Sequence, residues 1–202
     1  MTDMTVTPNV ALRQRLLDAA TDIFVANGYH ATRVADIVQA VGVAQGTFYL
    51  YFANKEAIFT ELVTQFLAHV LQDTLAAYQP TTITSVADVQ RVVQTFLRLV
   101  LERCHQQRQL VLLVREAGTI GPTFRAHLHA TDDVIVASLM AYAQQWSAMG
   151  LVRPVTSFTG WLILGMLERA AWYVATATDT IDLDLLAEEL MQFELHGVLL
   201  PP

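Results

Sequence analysis

Two short segments with helical apolar spacing flank Gly42-Val43, and the second reads Ala44-Gln45-Gly46-Thr47-Phe48-Tyr49-Leu50-Tyr51. Gln45 and Thr47 can hydrogen-bond base edges or phosphate oxygens. Gly46 removes the side chain where a sugar-phosphate backbone would pass. Tyr49 and Tyr51 add hydroxyls for phosphate, while Phe48 and Phe52 fall on the opposite side, toward a small core. Lys55 is the only lysine in the chain and follows at the start of the next segment. Free backbone N–H groups and the helix dipole there also favour a phosphate. Two short helices joined by a tight glycine turn form a helix-turn-helix, whose second helix enters the DNA major groove.

The elements that must hold this unit are readable from the same spacing. Leu12, Leu16, Leu17, Ala20, Ile23 and Phe24 form one apolar stripe, with Pro8 and Asn9 suited to start a helix and Gly28 to stop it. Thr32 suits the N-cap of the next segment, with Asp36 in its early turns and Gly42 closing it. Asn54 suits the N-cap of a long helix that ends before Pro80. Further helices are expected over 84–106, 109–117, 122–148, 156–177 and 183–196. The spacing therefore predicts an all-α chain of nine helices.

Composition agrees. The 202 residues are 53% apolar and 15% charged, with 9 glycines and 6 prolines, so a disordered chain is excluded and helix breakers are few. One cysteine, Cys104, excludes a disulfide scaffold and a CxxC zinc site. The start of the chain lacks a signal-peptide pattern, and the apolar run Trp161 to Ala177 is short and broken by Glu168-Arg169. A cytoplasmic location without membrane contact is expected. The net charge of −7 argues against a general nucleic-acid coat. It is uneven: in residues 1–55 four basic and four acidic residues cancel, and the whole deficit lies in residues 56–202.

The run Ala20…Phe24…Gly28-Tyr29…Ala31-Thr32…Asp36-Ile37…Gly42-Val43-Ala44-Gln45-Gly46-Thr47-Phe48-Tyr49-Leu50-Tyr51-Phe52-Ala53-Asn54-Lys55-Glu56 resembles the DNA-binding domain of the tetracycline-repressor (TetR) family. The resemblance covers about residues 10–60 without a gap, and the order of glycines, aromatics and Asn-Lys-Glu is specific. It implies a DNA-binding domain over 1–55 and a ligand-binding and dimerisation domain over 56–202. The family's DNA contacts carry over to Thr32, Arg33, Val34, Ala44, Gln45, Gly46, Thr47, Tyr49, Tyr51 and Lys55. Three positions depart from the common pattern: Ala44-Gln45 stands where many members have Ser-Lys, and Leu50 where many have His. Fewer phosphate contacts and a shallower salt dependence follow.

The resemblance further implies a homodimer on a palindromic operator in double-stranded DNA, with a repressor released by a small apolar or amphipathic effector. Dimer contacts are expected at Gly160, Gly165, Trp172, Leu186, Leu190 and Phe193. Pocket candidates among the middle helices are Phe66, Phe96, Arg103, Arg115, Phe124, Tyr142, Trp146 and Trp161. Arg103, Arg115-Glu116 and Glu168-Arg169 sit in apolar runs, so each is expected to pair across helices or meet an anionic ligand. Residues 115–124 faintly resemble members that respond to fatty acyl compounds. His127, His129, Asp132 and Asp133 are better read as a solvated surface than as metal ligands, and no cofactor is expected. The chain lacks a nucleophile elbow, a Gly-rich phosphate loop and an HExxH motif, so no enzyme activity is expected. A helical protein-interaction adaptor, or a small-molecule-binding protein without operator binding, is the other reading open to these residues.

Overall fold

The computed structural model describes residues 9–77, 83–117 and 120–198. Among them lie nine helices: α1 (Val10–Ala31), α2 (Val34–Val41), α3 (Gln45–Tyr49), α4 (Lys55–Ala77), α5 (Val86–Gln106), α6 (Arg108–Ala117), α7 (Pro122–Ala148), α8 (Ser157–Thr176) and α9 (Leu183–Val198). No strand occurs among the described residues. The chain forms two compact units. The first holds Met1–Phe66 and Leu113–Arg125, the second Leu67–Leu112 and Ala126–Pro202. Helices α4, α6 and α7 thus each contribute residues to both units.

The first unit is built on an aromatic core. Phe24, Phe48, Phe59 and Phe124 are fully buried with Leu16, Leu17, Ile37 and Ile58. The Phe59 ring meets Phe24 edge-on at 5.0 Å and lies 5.5 Å from Phe124, separations at which aromatic pairs attract beyond their area burial. Asn9 caps α1, its Oδ1 accepting from the N–H groups of Ala11 and Leu12. Arg13 on α1 grips Glu61 on α4 through both terminal guanidinium nitrogens and lies 5.1 Å from the centroid of Phe52. Gly42 ends α2 in the left-handed conformation, φ +76°, as its position after an apolar run suggested.

Two local expectations are corrected. Gly28 does not stop α1: it breaks the helix at φ +76°, ψ 166°, and one further turn runs to Ala31. Thr32 does not cap α2. It is 1% exposed, and its Oγ1 donates to the carbonyl of Gly28 at 2.8 Å, so the N-cap role passes to Arg33. Asp36 stabilises this helix start by accepting from the Arg33 N–H at 2.8 Å. Helix α3 is also shorter than its segment, beginning at Gln45 with Ala44 as N-cap and ending at Tyr49.

The second unit packs α5 against α8 and α9. Leu97, Leu101 and Cys104 from α5 meet Leu167, Ala170 and Val174 from α8 and Ala187, Met191 and Leu195 from α9. A smaller cluster joins Val136 and Met140 on α7 to Leu164 on α8. Ser85 and Asp88 form a reciprocal cap at the start of α5. That arrangement, with the Thr84 N–H also donating to Asp88, holds the Asp88 carboxyl down at about 2. No helix among the described residues is long and apolar enough to cross a membrane.

Candidate nucleic-acid interface

The helix-turn-helix presents a polar face on an apolar support. Phe48 is fully buried and Phe52 nearly so, while the neighbouring Ala44, Gln45, Gly46 and Leu50 are exposed. Tyr49 is 51% exposed, unusual for a large aromatic, and its hydroxyl accepts from Gln45 Nε2 at 3.4 Å. Helical spacing puts Gln45 and Tyr49 on one face of α3. Gly46 lies beside them, and a Cβ built there would meet nothing within 4 Å. At the start of α2, Arg33 is exposed and Val34 half-buried. Thr47 is also half-buried.

Besides the Gln45–Tyr49 pair, three more of the ten expected contact residues have side-chain partners in the protein. The buried Thr32 hydroxyl serves α1, as described. The Tyr51 hydroxyl accepts from the N–H of Asn9 at 3.0 Å, tying the end of the recognition segment to the start of α1. Lys55 has the most internal partners of the three. Its Nζ donates to the carbonyls of Tyr29 at 2.7 Å, Thr32 at 2.8 Å and His30 at 3.4 Å. It also lies 4.2 Å from the centroid of the Tyr29 ring. Partial burial lowers the Lys55 pKa from its ordinary value, and the Glu116 carboxylate opposes that shift. The ammonium therefore gathers the last carbonyls of α1, where the helix dipole favours a cation.

Arg15 was not singled out by the sequence, yet it braces the same unit. Its Nη2 donates to the Val41 carbonyl at 2.9 Å, joining α1 to the last turn of α2. The signal was its place on the polar side of α1, which the apolar stripe left unassigned.

The structure distributes the pocket candidates over both units. Phe66, Arg115 and Phe124 belong to the first; Phe96, Arg103, Tyr142, Trp146 and Trp161 belong to the second. Phe66 and Phe124 are buried core residues, and Trp146 packs against the second unit's core. Tyr142 and Trp146 lie together, with ring centroids 6.4 Å apart. A groove of about 460 Å³ at the end of α8 and the start of α9 is lined by Tyr173, Ile181, Leu185, Leu186 and several Thr and Asp residues, and by none of the eight candidates. Arg115, Glu168 and Arg169 are exposed, while Arg103 and Glu116 are half-buried. Partial desolvation and the neighbouring Asp132 push the Glu168 carboxyl up.

Among the dimer candidates, Gly165 and Phe193 are exposed, and Trp172, Leu186 and Leu190 are half-buried. Gly160 is buried within the protomer, where a Cβ would lie 2.8 Å from Val136 Cγ1 and 3.0 Å from Met140. Its missing side chain lets α8 approach α7 of the same chain. Among the described residues, no three His, Cys, Asp or Glu side chains converge to hold a metal ion.

Residues 16–62 match the family model for bacterial regulatory proteins of the tetR family. The chain is 49% identical over 61 residues to the HTH-type transcriptional regulator YdgC of Bacillus subtilis, covering 30% of this chain and 31% of that protein. It is 31% identical over 136 residues to the HTH-type transcriptional regulator UidR of Escherichia coli, covering 66% of each. The matches to the first curated relatives span about a third of those proteins' lengths. Among solved structures, the fold resembles FadR from Bacillus subtilis in complex with stearoyl-CoA, with a TM-score of 0.70, 19% identity, and coverage of 91% of this chain and 97% of that one. The aromatic core, the left-handed Gly42 turn and the polar face of α3 are thus parts of a known helix-turn-helix, and the chain belongs to the tetR family of bacterial regulatory proteins.

Proposed function

We propose that this protein is a ligand-responsive transcriptional regulator, a homodimeric repressor that reads a palindromic operator in double-stranded DNA and leaves it when a small amphipathic effector binds. The observation that carries this reading is the exposed polar face of α3 and the start of α2. Arg33, Gln45 and Tyr49 stand free of the core, while Phe48 fixes the helix beneath them. A surface of that kind fits base edges and phosphates in a major groove. In this reading residues 1–55 form the DNA-binding domain and residues 56–202 the sensor and dimerisation domain.

The dimer is supported by apolar surface on α8 and α9. Phe158 (67% exposed), Leu162, Gly165 and Tyr173 follow one another at helical spacing on α8, and Leu185 and Phe193 (73% exposed) do so on α9. Such a stripe is costly in water and suits a self-complementary two-fold interface. A dimer would set two copies of α3 about one DNA turn apart, ~34–36 Å.

The effector class is supported by the stearoyl-CoA carried by the similar FadR and by the apolar and arginine side chains among the pocket candidates. A long-chain acyl-CoA is therefore the first ligand to test. An effector can move the DNA equilibrium only by its differential affinity for the bound and free states. The test is fluorescence anisotropy on a duplex selected by the protein, titrated with stearoyl-CoA and with free CoA. Release by the acyl thioester alone supports the reading. Tight operator binding that neither ligand alters removes the acyl effector and leaves the DNA-binding reading in place.

A further inference from the structure

Glu116 lies in the last turn of α6, within the first unit. It lies 88 residues beyond Gly28, yet a Cβ built on Gly28 would stand only 3.2 Å from both of its carboxylate oxygens. Gly28 is the left-handed break in α1, so the carboxylate rests on the backbone where that helix changes direction. The same break is tied from the other side. Thr32 Oγ1 donates to the Gly28 carbonyl, and Lys55 Nζ holds the carbonyls of Tyr29 and Thr32. Glu116 is half-buried and exerts an electrostatic pull on Lys55. One residue beyond this knot stands Arg33, the exposed N-cap of α2.

We propose that Glu116 is a positioning residue for DNA recognition: its carboxylate, seated on the Gly28 break, holds the α1–α2 junction in the geometry that presents Arg33. The proposal rests on the DNA-binding reading above and touches no nucleic acid directly. The physics is that of a carboxylate acting electrostatically on a partly buried ammonium. The carboxylate favours the charged ammonium, and the ammonium in turn orders three backbone carbonyls. A neutral amide of the same shape leaves the packing on Gly28 but removes the pull on Lys55. The junction then samples more than one arrangement, and the loss falls on the contacts that need a fixed register. Gly28 is required for the same seat, since its φ is strained for any other residue and a Cβ would press on the carboxylate.

The test uses the full chain and its Glu116→Gln variant. Backbone hydrogen exchange is followed at residues 29–33, and affinity is measured on a duplex selected from random DNA and on a scrambled duplex. The expected result is faster exchange at 29–33 and a loss of about three- to thirty-fold on the selected duplex. Binding to the scrambled duplex and the salt slope should be unchanged, because no phosphate contact is lost. A double-mutant cycle with Lys55→Gln should be non-additive. A merely structural role would instead lower the melting temperature and weaken both duplexes alike. Wild-type exchange at 29–33 together with wild-type affinity overturns the proposal. If the protein selects no DNA sequence at all, the DNA-binding reading fails, and wild-type exchange in Glu116→Gln separately overturns the junction's dependence on Glu116.

Discussion

The Lys55 ammonium sits over the ring of Tyr29, 4.2 Å from its centroid, while donating a 2.7 Å hydrogen bond to the carbonyl of the same residue. This double engagement turns the protein's one lysine into a clasp between the start of α4 and the end of α1.

The first prediction follows. Lys55→Met keeps the aliphatic stem and removes the donor to the α1 carbonyls. Unfolding free energy should fall by about 1–3 kcal/mol, the range for losing hydrogen bonds to a charged group. The slope of log affinity against log salt should stay at its wild-type value. Were Lys55 a phosphate contact, that slope would drop by about one. Denaturant titration and anisotropy at several salt concentrations decide between the two.

The two glycines of α8 should respond in opposite ways. Gly160→Ala drives a methyl into Val136 and Met140, and overpacking of that kind costs about 1–3 kcal/mol. Gly165 is exposed and nothing lies within 4 Å of a Cβ there, so Gly165→Ala should stabilise the protomer by about 0.5–1 kcal/mol through helix propensity. Chemical denaturation reads both. Sedimentation of Gly165→Ala tests the dimer separately, because a methyl at a close helix crossing would weaken association.

Cys104 is buried on α5, and desolvation pushes its thiol up to about 11. It should therefore resist a disulfide reagent at pH 8 in the folded protein and react promptly in denaturant. Rapid labelling of the native protein would contradict its place in the core.

Glu194 on α9 gives a pH dependence with a definite sign. Its Oε1 is buried without a hydrogen-bond donor among the described residues, and burial raises the carboxyl from 4.5 to about 7. Below pH 4.5 the group is neutral in both folded and unfolded chains. Between pH 4.5 and 7 only the unfolded chain ionises, so stability falls as pH rises and levels off above 7. Glu194→Gln should remove this slope and stabilise the protein at neutral pH, by an amount on the order of 1–3 kcal/mol. A Glu194→Gln variant with the wild-type pH profile would contradict the assignment.

Apolar periodicity and local punctuation carry most of the fold. The helix over 122–148 coincides with α7, Asn54 accepts from the Ala57 N–H, and Gly42 adopts its left-handed cap, because each depends on neighbours within a turn. The exposure of Gln45 and Tyr49 over a buried Phe48 is a consequence of the same local spacing. What spacing does not contain is who meets whom. Lys55 finds carbonyls 23 to 26 residues back along the chain, a distance no local rule spans. Thr32 carries every mark of an N-cap, yet the break at Gly28 offers it a nearer acceptor, and Arg33 takes the cap. Gly160 reads equally well as a glycine for a partner subunit or for α7, and only the packing assigns it to α7.

The measurement that bears most directly on the central claim is selection of binding sites from random duplex DNA by the purified full chain, at two salt concentrations. The expected result is an enriched palindrome whose half-sites lie about one helical turn apart. Gln45→Ala should relax the preference at one base position, at a cost of about 1–3 kcal/mol, while retaining the fold. A pool that enriches no sequence at low salt, from a protein shown to be folded, would contradict the claim.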